Sequence, residues 1–284
     1  MAKDEKQTWE LGLFAPSVSQ LNVDETLNLI AESGYRFVEW RVQTLEAIEG
    51  SPWGKAYNTL VLDTMKKDTA GYVPLLKKLG IGVCGLQVDA PPDYPMLQEV
   101  VLDAAKAMAC QNVLISSPHY EPAKGYWDQR DAFRKTLAGW IKKAKGSGIR
   151  ICVENHFWSI TPSCALIIDL LGDFSSAEAG VMWDPANGYW EGLEVPAMAL
   201  DLLGKYLAEV HFKNGCWKRG EEGKWAYDWC DIPNGLVDWK SVLGLIKNTG
   251  YRGPLIVEDY RPTSPQDKLA AARKGMEWVM KDTK

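Results

Sequence analysis

The chain has 284 residues, 46% of them hydrophobic and 24% charged, with a formal net charge of −5. This is the composition of an ordinary globular protein long enough to bury a large core without staples. No basic run stands out and no stretch approaches ~18 consecutive apolar residues, which excludes a nucleic-acid partner and a membrane span. The opening MAKDEKQTWE is polar, so a cytoplasmic protein is expected.

The elements alternate in chain order. LGLFA (11–15) reads as a strand, and NVDETLNLIAESG (22–34) as a helix capped by Asn22 and stopped at Gly34. RFVEWR (36–41) is the second strand. An insertion containing SPWG (51–54) precedes a helix ending near Leu79-Gly80. IGVCGLQV (81–88) is the third strand, with a helix over 93–110 whose apolar residues recur at three and four. NVLIS (112–116), RICVENH (150–156), GVMWDPAN (180–187, with its loop), LAEVHFKN (207–214) and PLIVEDY (254–260) continue the strands. Helices are expected over 128–145, 162–171, 195–206, 238–248 and from Ser264-Pro265 onward. Residues 214–237 read as a long polar loop rich in Trp and Gly, of the kind that serves as a lid.

Eight strands alternating with eight helices predict a parallel α/β architecture. The count, and the lack of an early glycine-rich phosphate loop, favour a single-domain (β/α)₈ barrel over residues 1–284 rather than an open doubly wound sheet. In such a barrel the C-terminal strand ends converge on one pocket.

Glu154, Asp184, His211 and Glu258 stand at the C-terminal ends of the fifth to eighth strands. Taken singly, each has a bland reading: a hydrogen-bonded histidine, a turn-capping aspartate, a solvated Glu258-Asp259 pair. Yet burying Glu in the apolar runs ICVE and LIVE, Asp in VMWD or His in EVHF is costly unless each is paired or coordinated. One shared cation accounts for all four. Three carboxylates and an imidazole suit Mn²⁺, Mg²⁺ or Co²⁺, with Zn²⁺ as an alternative. Around them, His156 two residues after Glu154 is a candidate acid/base. His119 and Lys213 are candidates for contacting substrate, Arg41 for neutralising an anionic group and Glu39 for holding a hydroxyl. Asn187 is a candidate support for the ligands. Thirteen tryptophans are unusual. Trp40, Trp158, Trp190, Trp217, Trp225 and Trp229 are assigned to top-face loops, where flat rings suit sugars or aromatic groups. Cys84, Cys110 and Cys152 read as buried thiols, and the six cysteines show no metal-type spacing.

ENH, DPAN, HFK and VED at successive strand ends resemble the xylose isomerase-like sugar phosphate isomerase/epimerase superfamily over essentially the whole chain. That superfamily includes ketose 3-epimerases, hydroxypyruvate isomerases, inosose dehydratases, C-glycoside deglycosidases and the endonuclease IV group. In the epimerase branch the resemblance implies that Glu154, Asp184, His211 and Glu258 hold one ion, Mn²⁺ first. Glu154 and Glu258 would also move protons next to a carbonyl through a metal-stabilised enediolate. The expected activity is a sugar isomerase or epimerase. The alternative is a lyase that uses the same groups on an inosose or oxo-sugar. A sugar substrate is implied, as is a homo-oligomer, with a small second subunit in the deglycosidase branch. Two positions depart from the epimerase pattern: Asn187 stands where a histidine is usual, and Arg219 lies eight residues after His211, with Lys213 closer. Three histidines in all, His119, His156 and His211, are too few for the trinuclear zinc site of endonuclease IV.

Overall fold

The computed structural model describes residues 9–51, 55–191, 194–220 and 222–281. Of the SPWG insertion only Ser51 falls within them, and of the opening decapeptide only Trp9 and Glu10.

The chain runs β1 (Leu11–Phe14), α1 (Val23–Glu32), β2 (Phe37–Gln43), α2 (Leu45–Glu49), β3 (Leu60–Val61), α3 (Met65–Leu79), β4 (Gly82–Val88) and α4 (Leu97–Ala107). It continues with β5 (Asn112–Ile115), α5 (Tyr126–Ala144), β6 (Arg150–Glu154), α6 (Cys164–Leu171), β7 (Ala179–Trp183), α7 (Pro185–Glu191), α8 (Pro196–Leu203) and β8 (Leu207–Phe212). A hairpin, β9 (Gly215–Arg219) and β10 (Trp225–Trp229), precedes α9 (Trp239–Thr249), β11 (Leu255–Val257) and α10 (Pro265–Met280). Strands β1, β2, β4, β5, β6, β7, β8 and β11 pair in parallel, and β11 returns to β1, closing the (β/α)₈ barrel. The short β3 pairs with the upper end of β2. Among the described residues no helix is long and apolar enough to cross a membrane.

Local chemistry sets the helix ends. Asn22 accepts from the Glu25 backbone N–H while the Glu25 carboxylate accepts from the Asn22 N–H, both at 2.9 Å, a reciprocal cap on α1. Gly80 ends α3 in the left-handed conformation, φ 66°. Ser264 caps α10 with Pro265 in its first turn. The strands read as near-continuous apolar runs because helices cover one face and the barrel interior the other.

The main core lies between the barrel and its helices, with Trp40, Trp140 and Trp239 fully buried. Two smaller apolar clusters fill the barrel itself: Phe14, Cys84 and Ile256, and Leu114, Cys152, Met182 and Ala208. Beside them sits a polar layer of Glu39, Gln87, Asn112 and Glu209. Two register shifts make room for it. β2 slips against β4 after Val38, setting Glu39 opposite Gly85, and β7 slips against β8 after Val181, setting Met182 opposite Glu209. A Cβ on Gly85 would stand 2.8 and 2.9 Å from the Glu209 carboxylate oxygens, so only glycine leaves space for that acid.

Several expected elements differ. Trp40 is not in a top-face loop: it lies within β2, fully buried, because successive β2 side chains alternate and the Trp40 side packs outward under the helices. The DPAN loop is the start of α7, with Pro185 as its first residue. Residues 214–237 are not an open loop, since β9 and β10 pair antiparallel from Gly215↔Trp229 to Arg219↔Trp225. The helix expected over 93–110 is shorter, because Met96 takes a positive φ of 54° and α4 begins only after it.

Candidate metal centre

β6, β7, β8 and β11 deliver Glu154, Asp184, His211 and Glu258 to one point, with one ligating atom from each lying within 4.8 Å of the others. The donors are held from behind. Glu154 accepts from Asn187 Nδ2 at 3.0 Å on Oε1 and from Gln87 Nε2 at 3.2 Å on Oε2. Asp184 divides its two oxygens. Oδ1 accepts from the Asn187 N–H at 3.0 Å, capping α7, while Oδ2 turns to the cluster. The Asp184 backbone is pinned by Asn155, whose side chain donates to Asp184 O and accepts from Asp184 N, each at 2.7 Å.

His211 is clamped between carboxylates. Nε2 lies 2.9 Å from Glu39 Oε2, and Nδ1 lies 2.8 Å from Glu258 Oε2 and 3.7 Å from Asp184 Oδ2. With Glu39 accepting from Nε2–H, Nδ1 is the nitrogen presented to a cation. Lys213 reaches over the same point, its Nζ 2.5 Å from Asp184 Oδ2 and 2.8 Å from Glu258 Oε2.

The two glutamates have opposite surroundings. Burial pushes Glu154 up to about 8, with His211 and Lys213 only partly opposing it. Burial also raises Glu258, but Lys213 and His211 outweigh it and hold that carboxyl well below its ordinary range. Burial disfavours the charged form of His211, yet Glu39 and Glu258 push the imidazole well above its usual value. His156 goes the other way: burial and then the Lys213 charge lower it, leaving a neutral ring.

The donor set fits a divalent ion of the oxygen- and imidazole-binding kind. Three carboxylates and Nδ1 converge, and Asp184 Oδ2 is buried facing the charges of Lys213 and His211.

Above the cluster opens a cavity of about 2020 Å³ lined by Glu154, His211, Glu258, Lys213, His156, His119, Arg41 and Trp158 among others. His156 lies beyond the end of β6, its ring Nδ1 2.9 Å from Phe157 O. His119 is exposed at the rim, bridged to Ser159. Burial works against the Arg41 charge, but Tyr260, Asp89 and Glu258 keep it above its ordinary value. One expectation needs correction. Glu39 is fully buried beneath His211 and is not among the residues lining the cavity, because it points into the barrel interior. Asn187 donates from Nδ2 to Glu154 Oε1 and to Asn155 O, and it too is absent from the cavity lining.

One side of the mouth is an aromatic wall centred on Trp190, which stacks on Phe157 at 4.4 Å and 14° and meets Tyr227 at 4.5 Å, Trp158 at 5.6 Å and Trp217 at 5.9 Å. Trp229 adjoins Tyr260 at 5.8 Å. Trp225 is 67% exposed on β10. Sequence reasoning missed Asn155, Gln87 and Glu209. The last two are polar residues inside apolar strand runs, the same signal that marks Glu154.

A fold and a strand-end cluster of this kind define a class before any comparison is made: a (β/α)₈ protein with a carboxylate–imidazole centre at the C-terminal face. The model of the family "Xylose isomerase-like TIM barrel" matches residues 27–282, and the chain belongs to that family. Similar solved structures include a D-tagatose 3-epimerase-like protein, at 16% identity and a TM-score of 0.72, covering 96% of this chain and 98% of that one. An IolI protein with a bound zinc atom has 16% identity and a TM-score of 0.69, covering 95% and 97%. A xylose isomerase-like TIM barrel protein from Mycobacterium smegmatis in complex with magnesium has 14% identity and a TM-score of 0.68, covering 98% of both chains. At these identities the likeness shows the fold. Among the curated proteins none matches the chain.

Proposed function

We propose that the protein is a divalent-metal-dependent sugar isomerase or epimerase that moves a proton next to a carbonyl. The observation that carries this reading is the convergence of Glu154 and Glu258, from separate strands, on one cluster at the floor of the cavity. Two carboxylates that reach one substrate can divide proton removal from proton return. One glutamate, ionised, takes the proton from the carbon, and either the carboxyl so formed or the other glutamate, itself carrying a proton, returns one. Return from the opposite face inverts that carbon, whereas return to the neighbouring carbon exchanges aldose and ketose. Held by Glu154, Asp184, His211 and Glu258, a divalent ion, Mn²⁺ first by its donor set, would supply Lewis-acid stabilisation of developing negative charge on substrate oxygens. Similarity to a D-tagatose 3-epimerase-like protein and to zinc- and magnesium-bound structures supports this reading.

The aromatic wall favours a second reading. A cavity of about 2020 Å³ exceeds the roughly 300–1,000 Å³ of common small-molecule pockets, and its flat apolar side suits a sugar carrying an aromatic group. The same glutamates would then expel a leaving group from an inosose or oxo-sugar. Deuterium exchange from solvent, read on a panel of ketoses, inososes and 3-oxo-glucosides with the Mn²⁺-loaded protein, tests both. Exchange at a carbon next to the carbonyl, lost by about 10²–10⁴-fold in Glu154→Gln and Glu258→Gln, is the expected result. Release of water or of an aglycone selects the lyase. No exchange on any member of the panel overturns the proton-transfer reading.

A further inference from the structure

Lys213 is placed where a metal ion would have to go. Its backbone is fixed just past β8, with Trp239 Nε1–H donating to Lys213 O at 2.9 Å. The side chain, 3% exposed, folds back over the cluster and sets Nζ 2.5 Å from Asp184 Oδ2 and 2.8 Å from Glu258 Oε2. These are the two oxygens that also face His211 Nδ1. An ion drawing on Asp184, Glu258 and His211 therefore needs the oxygens that the ammonium already holds. A monovalent and a divalent cation drawn to the same two buried oxygens repel each other at close range, and burial weakens the screening that would soften this. Ammonium and ion cannot share the pair.

The ammonium has somewhere to go. Nζ already stands 4.9 Å from the centre of the Trp229 ring, and Lys213 and Trp229 both line the cavity. A four-carbon stem can swing its charge across an aromatic face without breaking the backbone anchor. The cavity side of that swing is where a substrate oxygen would lie.

We propose that Lys213 is an internal counter-ion of the metal centre: its ammonium competes with the divalent ion for Asp184 Oδ2 and Glu258 Oε2, and ion entry sends it over Trp229 into the cavity as a hydrogen-bond donor to substrate. This rests on the metal-site part of the function proposed above. Two properties follow. Buried carboxylates that would repel one another stay neutralised until the ion arrives, and the lysine becomes available to substrate only in the loaded protein.

The test uses the full chain, stripped with a chelator and titrated calorimetrically with Mn²⁺ and separately with Co²⁺. Lys213→Met should bind each ion at least tenfold more tightly than the unaltered protein, since the competitor is gone. In parallel, acetylation of Lys213 in the unaltered chain, followed by peptide mass spectrometry, should speed up several-fold on adding Mn²⁺. This second measurement needs no variant and stands even if Lys213→Met fails to fold. Equal or weaker ion binding in Lys213→Met overturns the competition. Labelling that stays flat or falls on loading overturns the displacement. Absence of ion binding in both proteins instead sinks the metal centre itself, so the two failures are distinct.

Discussion

Asn155 holds Asp184 in place without reaching the cavity, and its loss has a size that can be worked out. Its amide donates to Asp184 O and accepts from Asp184 N–H, both at 2.7 Å, in a position 2% exposed. Asn155→Ala strands both backbone groups away from water. Each unsatisfied group costs about 1–3 kcal/mol, so the expected destabilisation is about 2–6 kcal/mol. For a chain of this size that lowers the melting temperature by roughly 3–10 °C. Asn155→Asp keeps the shape and the acceptor but loses the donor and aims a carboxylate at the Asp184 carbonyl. It should be at least as damaging at neutral pH and partly relieved in acid, where the introduced carboxyl can donate. Because Asp184 is then no longer fixed, ion affinity should fall about 10–100-fold in both variants. Urea unfolding followed by tryptophan fluorescence, together with calorimetric Mn²⁺ titration, reads both effects. Wild-type midpoint and wild-type affinity in either variant would refute the claim that these two hydrogen bonds position the ligand.

Ion binding should depend on pH through Glu154. Its carboxyl is pushed from the ordinary 4.5 up to about 8 by burial, so below pH 8 an incoming ion must displace a proton. The Glu154 proton alone makes affinity rise about tenfold per pH unit up to that point, and the proton held by His211 steepens the rise. Calorimetry in two buffers of different ionisation heat should find about two protons released per ion near pH 6.5, one from Glu154 and one from His211, and none released would contradict the assignment. The stability sign is opposite. Between 4.5 and 8 the folded state binds more protons than the unfolded one, so the ion-free protein should lose stability as pH rises through that window. Gly85→Ala would press a methyl against both Glu209 oxygens and, at 3.0 Å, against Glu39 Cγ. A loss of about 1–3 kcal/mol in chemical denaturation is expected, with weaker ion binding as Glu39 shifts beneath His211. A variant of unchanged stability and affinity would show that this layer tolerates more than its distances suggest.

The candidate ligands were legible because each stands at or next to the end of an apolar strand run, where a lone charge has no cheap explanation. Glu209 and Gln87 are also polar residues within apolar strand runs but escaped notice: the partners that justify burying them, Asn112 for Glu209 and Glu154 for Gln87, come from strands far off in sequence. Glu39, Trp40 and Arg41 show the value of alternation: three adjacent residues face the barrel, the helices and the cavity by turns, and a period-of-two reading separates Trp40 from the loop tryptophans. The start of α7 carried its own signal in Asp184-Pro185, a capping aspartate followed by the residue best suited to a first turn. The hairpin of β9 and β10 carried half a signal: Trp225, Tyr227 and Trp229 recur at a period of two in β10, but GCWKR of β9 does not alternate, and among the described residues the two strands pair only with each other.

The ligands sit on or just beyond the barrel strands, while the aromatic wall is built from Phe157, Trp158, Trp190 and the β9–β10 hairpin, all outside the ring of paired strands. The candidate ligands and the wall therefore come from separable parts of the chain, touching where Trp229 of β10 meets Lys213. A lineage can exchange the hairpin outside Trp229, or an engineer can graft another in its place, and alter the lining of the mouth while the strand ends that gather the cluster stay as they are. The wall is the part of this barrel on which diversification costs least.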